Sequence, residues 1–269
     1  MVQNKNYQGM NYKLDSLSLN NGNAQLITIQ TNDQNSLTRE NMKELGVILG
    51  EIKKNDSIKG AIITSDNPKF FCNGLDADAL LNTSPEDLPE SVGGICFLFG
   101  EILKFDKPLA VEVTGHAMGG GAVITIASDY KYMLDSGCRI GFTEVMVGLP
   151  LPGMFVYKIQ DSIHPNKINE VCLEATTYKG KEAKEIGFID EIGSTKEDLR
   201  KLSIKKLDSV FKFPISALRY TKQNINRRAL KDFDDFLKES LHWFSIPVIR
   251  ENLLESMRAL KEKRRPKLL

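Results

Sequence analysis

The sequence predicts an α/β protein, and three observations carry that reading. Short apolar strand-like runs alternate with helix-like segments through the first two thirds. A buried-strand pattern, Leu109-Ala110-Val111-Glu112-Val113, runs through Thr114-Gly115-His116-Ala117-Met118 into Gly119-Gly120-Gly121 and then the apolar, helix-compatible Ala122 to Ala127. From about Glu197 onward the apolar spacing becomes purely helical.

Taken in order, Gln25 to Gln30 alternates as a strand, and after the turn-rich Thr31 to Asn35 a helix begins near Ser36 or Thr38. That helix puts Met42, Leu45, Ile48, Leu49 and Ile52 on one face. Gly60 to Ser65 is a short apolar strand broken by Asp66-Asn67-Pro68, and Phe70-Phe71-Cys72-Asn73-Gly74 leads into a helix from Asp76. Lys107-Pro108 opens the next unit: strand 109–113, the glycine loop, and a buried helix to about Ser128. Tyr130 to Met133 and Arg139 to Phe142 supply further strands. A short helix, Lys181 to Ile186, is stopped by Gly187, and Phe188 to Ile192 is extended after it.

Leu202, Leu207, Phe211, Phe233, Phe236, Leu241, Phe244, Leu253 and Met257 belong to the C-terminal third. Helices this apolar must bury their faces against the first part of the chain or against another subunit. The tail from Lys261 to Lys267 reads as a solvated segment.

Bulk properties narrow the classes. With 269 residues, 41% of them hydrophobic, the chain can bury a substantial core. Thirty-six basic against 35 acidic residues leave a net charge of +1, so nothing global calls for nucleic acid or an anionic membrane. Cys72, Cys96, Cys138 and Cys172 are scattered, without metal-ligand spacing, and read as reduced thiols. No metal site is expected. The N-terminus lacks an apolar leader core, and no apolar run is long enough to span a bilayer, so a cytoplasmic protein is expected.

The glycine loop is where chemistry enters. Glycines between a strand and a helix let a ligand approach the backbone, and the first helical turn offers unpaired N–H groups and the positive end of a dipole. That suits an anionic oxygen. Neither phosphate-loop nor dinucleotide spacing is present, which leaves a transient oxyanion beside the alternative of tight strand–helix packing.

Three segments combine with it: Phe70-Phe71-Cys72-Asn73-Gly74-Leu75-Asp76, Gly115 to Gly121, and Gly141-Phe142-Thr143-Glu144-Val145-Met146-Val147-Gly148-Leu149-Pro150. Together they resemble the crotonase superfamily of enoyl-CoA hydratases and isomerases over essentially the whole chain. The resemblance implies a crotonase-like spiral of repeated ββα units over residues 1–200 with the coenzyme A site, and a helical oligomerisation region over 201–269 that builds a homotrimer or hexamer. It also implies an acyl-CoA thioester substrate, with coenzyme A as part of that substrate and no separate cofactor.

Carried over by position, the oxyanion donors are the N–H groups of Leu75 and Gly120. The segment Phe71, Cys72, Asn73, Gly74, Leu75 and Asp76, with Gly120, would contact the coenzyme A portion. Lys222, Arg227 and Arg228 are candidates for the phosphates. Hydratases of the superfamily carry two glutamates, of which only Glu144 is present; the other position is Val123, a core residue or an apolar wall. A lone glutamate resembles the Δ3,Δ2-enoyl-CoA isomerases and implies proton transfer from C2 to C4 of a 3-enoyl thioester. A hydratase or another lyase or decarboxylase of the superfamily, and a noncatalytic binding relative, are the alternatives. Apolar neighbours on Glu144 predict a raised pKa. His116 reads as a structural or rim residue, Cys72 as a packed thiol, and Asp76 and Asp129 as caps.

Overall fold

The computed structural model describes residues 11–269. Ten strands form two sheets among these residues. The larger is ordered β1 (Tyr12–Leu19), β2 (Gly22–Ile29), β3 (Ile58–Ser65), β5 (Leu109–Val113), β7 (Tyr130–Leu134) and β10 (Glu191–Gly193). The smaller is ordered β4 (Phe70–Cys72), β6 (His116–Met118), β8 (Arg139–Gly141) and β9 (Tyr178–Lys179). Strands β2 to β10 of the large sheet pair in parallel, with β1 antiparallel on its edge. Each turn of the chain lays one strand in the large sheet and the next in the small one: β3 then β4, β5 then β6, β7 then β8. This is the spiral of ββα units, and the α/β crotonase-like class holds.

Helices fill the spaces between turns. α1 (Arg39–Lys54) starts where Thr38 Oγ1 accepts from the Asn41 N–H at 3.3 Å, and buries Met42, Leu45, Ile48, Leu49 and Ile52 as the spacing predicts. α2 (Ala77–Leu81) is capped by Asp76, whose Oδ1 accepts from the Ala79 N–H at 2.8 Å. α3 (Leu88–Lys104) lies across α1. α4 (Gly120–Ala127) is buried on every side. α5 (Gly153–Ser162), α6 (Ile168–Cys172) and α7 (Gly180–Glu185) follow.

The C-terminal helices are α8 (Lys196–Val210), α9 (Ile215–Lys231), α10 (Phe233–Ser245) and α11 (Pro247–Lys261). They pack on the chain's own first part, α8 on β5 and β7, α9 on α5 and α3, α10 on α3, and α11 on α2, while Tyr220 and Ile225 of α9 and Val248 of α11 stay exposed. β5 is buried along its whole length, so its Glu112 needs a partner inside the protein. Arg200 of α8 supplies it with a forked pair at 2.8 and 2.9 Å, and Ser203 Oγ donates as well. The tail is exposed yet fixed, because Arg264 pairs with Glu255 and the Leu269 N–H donates to Asn252 Oδ1 at 2.7 Å. No helix among the described residues is long and apolar enough to cross a membrane.

Candidate active site

β4 of the small sheet delivers Asn73, Gly74 and Leu75 to one side of a cavity of about 230 Å³. β6 delivers Met118, Gly119 and Gly120 beside them, and the turn after β8 brings Thr143 and Glu144. The segments are locked together by backbone contacts: the Gly119 N–H donates to Gly141 O at 3.0 Å, and Gly74, at φ +84°, packs against the glycine loop. A methyl group on Gly74 would lie 3.7 Å from the Gly120 nitrogen.

Two N–H groups are left free in this corner. Leu37 makes a parallel bridge to Leu75, donating to Gly74 O at 2.8 Å and accepting from the Asp76 N–H at 2.9 Å. In that pattern the Leu75 N–H points away from Leu37 and is not used by the strand pair. Gly120 is the first residue of α4, so its N–H has no intrahelical acceptor and carries the positive end of the helix dipole. Gly119 stands at φ 49° and ψ −108°, which a residue with a side chain rarely adopts. The central glycine is close to its neighbours too, since a methyl on Gly120 would meet Leu37 Cδ1 at 3.1 Å and Ile95 Cδ1 at 3.4 Å.

Glu144 faces this corner. Its Oε1 lies 3.7 Å from the point where a side chain on Gly119 would begin, and its Oε2 is buried without a hydrogen-bond partner. Burial pushes its carboxyl up to about 7, against the opposing pull of the Thr143 and Glu144 backbone. The turn carrying Glu144 is closed by the Leu149 N–H donating to Glu144 O at 2.9 Å and by Gly148 at φ +79°. Opposite stand Phe155, Phe244, Leu253, Met257 and Leu260, an almost wholly apolar wall.

The sequence-predicted residues separate into groups. Asn73, Gly74, Leu75, Gly120 and Glu144 line the cavity together. Phe71 and Cys72 are fully buried on β4 behind it, and burial pushes the Cys72 thiol up to about 12, far from a thiolate nucleophile. Asp76 serves as the α2 cap, also accepting from Ser36 Oγ at 2.6 Å. Val123 is buried within α4 outside the lining, so the apolar wall belongs to other residues. His116 Nδ1 accepts from the Arg139 N–H at 3.1 Å, a sheet contact away from the cavity. Lys222 is buried, bonded to Asp129 at 2.6 Å and to Lys107 O at 2.9 Å; Arg228 pairs with Asp161, and neither reaches the cavity.

Sequence reasoning missed Val92 and Ile95 of α3, Phe155 of α5, and the contributions of α10 and α11. The α3 residues were findable: Leu88, Val92, Ile95, Phe99 and Leu103 recur at helical spacing behind Pro89. Among the described residues no group of His, Cys, Asp and Glu side chains could hold a metal ion.

A desolvated carboxylate beside two unpaired N–H groups is an arrangement for moving a proton while an oxyanion is held, and it defines an acid–base enzyme class. The chain belongs to the enoyl-CoA hydratase/isomerase family, which residues 20–268 match. It is similar to human mitochondrial methylglutaconyl-CoA hydratase, 26% identical over 240 residues that cover 87% of this chain and 70% of that protein. It is also similar to carnitinyl-CoA dehydratase of Escherichia coli, 25% identical over 251 residues covering 91% and 95%. Among solved structures, human mitochondrial Δ3,Δ2-enoyl-CoA isomerase shares the fold with a TM-score of 0.85 at 20% identity, covering 94% of this chain and 99% of that one.

Proposed function

We propose that the protein is an isomerase that shifts the double bond of a 3-enoyl-CoA to give the 2-trans-enoyl-CoA. The observation that carries this reading is Glu144, the one carboxylate among the residues lining an otherwise largely apolar cavity, with its pKa brought to about 7. A group that must first accept and then return a proton works best when its pKa lies near the working pH.

In this reading the thioester oxygen sits between the N–H groups of Leu75 and Gly120. Glu144 takes a proton from C2, the charge spreads into a dienolate whose oxygen gains most from the two donors, and Glu144 returns the proton at C4. Donors aimed at charge that develops only in the transition state raise the rate, and each contributes on the order of 3 kcal/mol. Coenzyme A enters as part of the substrate, its pantetheine passing along the backbone of Asn73, Gly74 and Leu75, the part of the Phe71–Asp76 segment that lines the cavity, and no further cofactor is called for. A homotrimer or hexamer built by residues 201–269, and cytoplasmic residence, belong to the same proposal; four free, buried thiols support the latter.

Hydration is the second reading, favoured by the names of the two sequence relatives. Val123, where hydratases resembling this chain would carry a second glutamate, is buried outside the lining and speaks for isomerisation. Incubating the purified protein with 3-enoyl-CoA and 2-enoyl-CoA and identifying the products decides between them.

A further inference from the structure

β10 is the edge of the large sheet and begins only at Glu191, opposite Tyr132 of β7, so the start of β7 has no strand beyond it. Tyr130 and Tyr132, two residues apart, share one face of β7. That is the face on which Glu112, paired with Tyr132 across the strands, meets Arg200 of α8. Between this strand end and the C-terminal half of α8 lies a cavity of about 580 Å³, which shares no residue with the cavity of Glu144. α8 contributes Leu202, Lys205 and Lys206 to it from successive turns of one helix side.

The donors of this cavity are unspent. Tyr132 is only 3% exposed, yet its hydroxyl has no hydrogen-bond partner among the described residues. Burial, and then the nearby Asp190 carboxylate, push its phenol well above the ordinary tyrosine value, so it keeps its proton and needs an acceptor. Lys206 Nζ stands 5.5 Å from the centre of the Tyr130 ring, and neither Lys205 nor Lys206 has a carboxylate partner among the described residues. The carboxylates of the lining, by contrast, are already answered. Asp129 accepts from Lys222 at 2.6 Å and from the Leu109 N–H at 2.8 Å. Asp190 accepts from the Lys131 N–H at 2.8 Å with the Lys131 ammonium at 3.6 Å, and Glu191 pairs with Lys184. What remains over is two positive charges and a phenol proton.

A phosphomonoester carries roughly two negative charges near pH 7 and three strong acceptor oxygens, which match that remainder. The volume far exceeds a bare phosphate and falls in the range of small-molecule sites, and Leu202 with the two tyrosine rings gives it an apolar wall. We propose that this cavity is a second ligand site, which binds a phosphomonoester carried on a flat apolar group. Lys205, Lys206 and the Tyr132 hydroxyl take the phosphate, and Tyr130 and Leu202 take the flat group.

The test is calorimetric titration of the full chain with AMP, phenyl phosphate, inorganic phosphate and adenosine. At least one of the two phosphomonoesters binds about tenfold or more tighter than inorganic phosphate, and adenosine does not bind at the same concentrations. Binding of AMP alone identifies a nucleotide as the ligand; binding of both identifies aryl phosphates in general. Tyr132→Phe removes only a hydroxyl that bonds nothing in the protein, so it keeps the wild-type melting temperature while weakening the phosphomonoester by about tenfold or more. Lys205→Ala combined with Lys206→Ala weakens it further, and the wild-type affinity declines as salt rises. Phosphomonoesters that bind no tighter than inorganic phosphate overturn the proposal. So does binding that is unchanged in Tyr132→Phe and in the double lysine variant, which would place the ligand elsewhere on the chain.

Discussion

Glu144 Oε1 lies 3.7 Å from the point where Gly119 would carry a side chain, so the carboxylate sits in van der Waals reach of the glycine loop, whose φ of +49° at Gly119 favours a residue without a side chain. Glu144→Gln keeps the shape and removes the ability to accept a proton. Turnover of 3-enoyl-CoA should fall by at least about 10²–10⁴-fold, while acyl-CoA binding measured by calorimetry stays within a few-fold. Near wild-type turnover would remove Glu144 from the mechanism.

The pKa of about 7 makes a kinetic forecast with a definite sign. Proton abstraction needs the ionised form, so kcat/KM of the free enzyme should decline as pH falls through about 7 and level off above it. A limb near the ordinary carboxylate range would show that Glu144 is hydrated in solution.

The same shift has a stability consequence. The folded protein holds the Glu144 proton up to about 7, whereas the unfolded chain releases it near 4.5, so between these values the folded state binds more protons and stability declines as pH rises. Above that window Glu144→Gln escapes the cost and should be more stable than wild type by up to about 3 kcal/mol, with little difference at pH 4. Thermal melts of both proteins at the two pH extremes measure it.

Replacing Gly120 tests the oxyanion corner. A first side-chain carbon there meets Leu37 Cδ1 at 3.1 Å and Ile95 Cδ1 at 3.4 Å, so Gly120→Val must displace its neighbours and crowd the thioester oxygen. A loss of at least about 10²-fold in turnover is expected. Cys72→Ser, on the buried strand behind the site, should lower the melting temperature and leave kcat within a few-fold. Equal losses at the two positions would point to a thiol mechanism.

Gly148 links the turn of Glu144 to the last helix. It stands at φ +79°, and a methyl group there would lie 2.5 Å from Asn252 Cβ on α11. Gly148→Ala should cost about 1–3 kcal/mol of stability and reduce turnover by displacing the Glu144 turn. A melting curve and kcat matching wild type would show that α11 does not bear on the turn.

The parts legible in the sequence were those whose physics is local. Gly74 and Gly119 announce backbone conformations that side chains resist, and the α1 face follows from spacing alone. β1 escaped because its apolar residues, Tyr12, Leu14, Leu17 and Leu19, slip phase between 14 and 17, so no strict alternation marks it. The wall of the cavity escaped for another reason: Phe155, Phe244 and Met257 come from three helices spread over more than a hundred residues, and only the packed fold assembles them. Lys222 looked like a free cation, and its partner Asp129 lies 93 positions away.

The most direct measurement is the product formed by purified protein from a 3-enoyl-CoA deuterated at C2, followed by mass and proton spectra alongside Glu144→Gln. Isomerisation by a single shuttling carboxylate gives 2-trans-enoyl-CoA with part of the C2 deuterium carried to C4, and none of this with the variant. Formation of 3-hydroxyacyl-CoA as the main product, or isomerisation that survives in Glu144→Gln, would contradict the assignment.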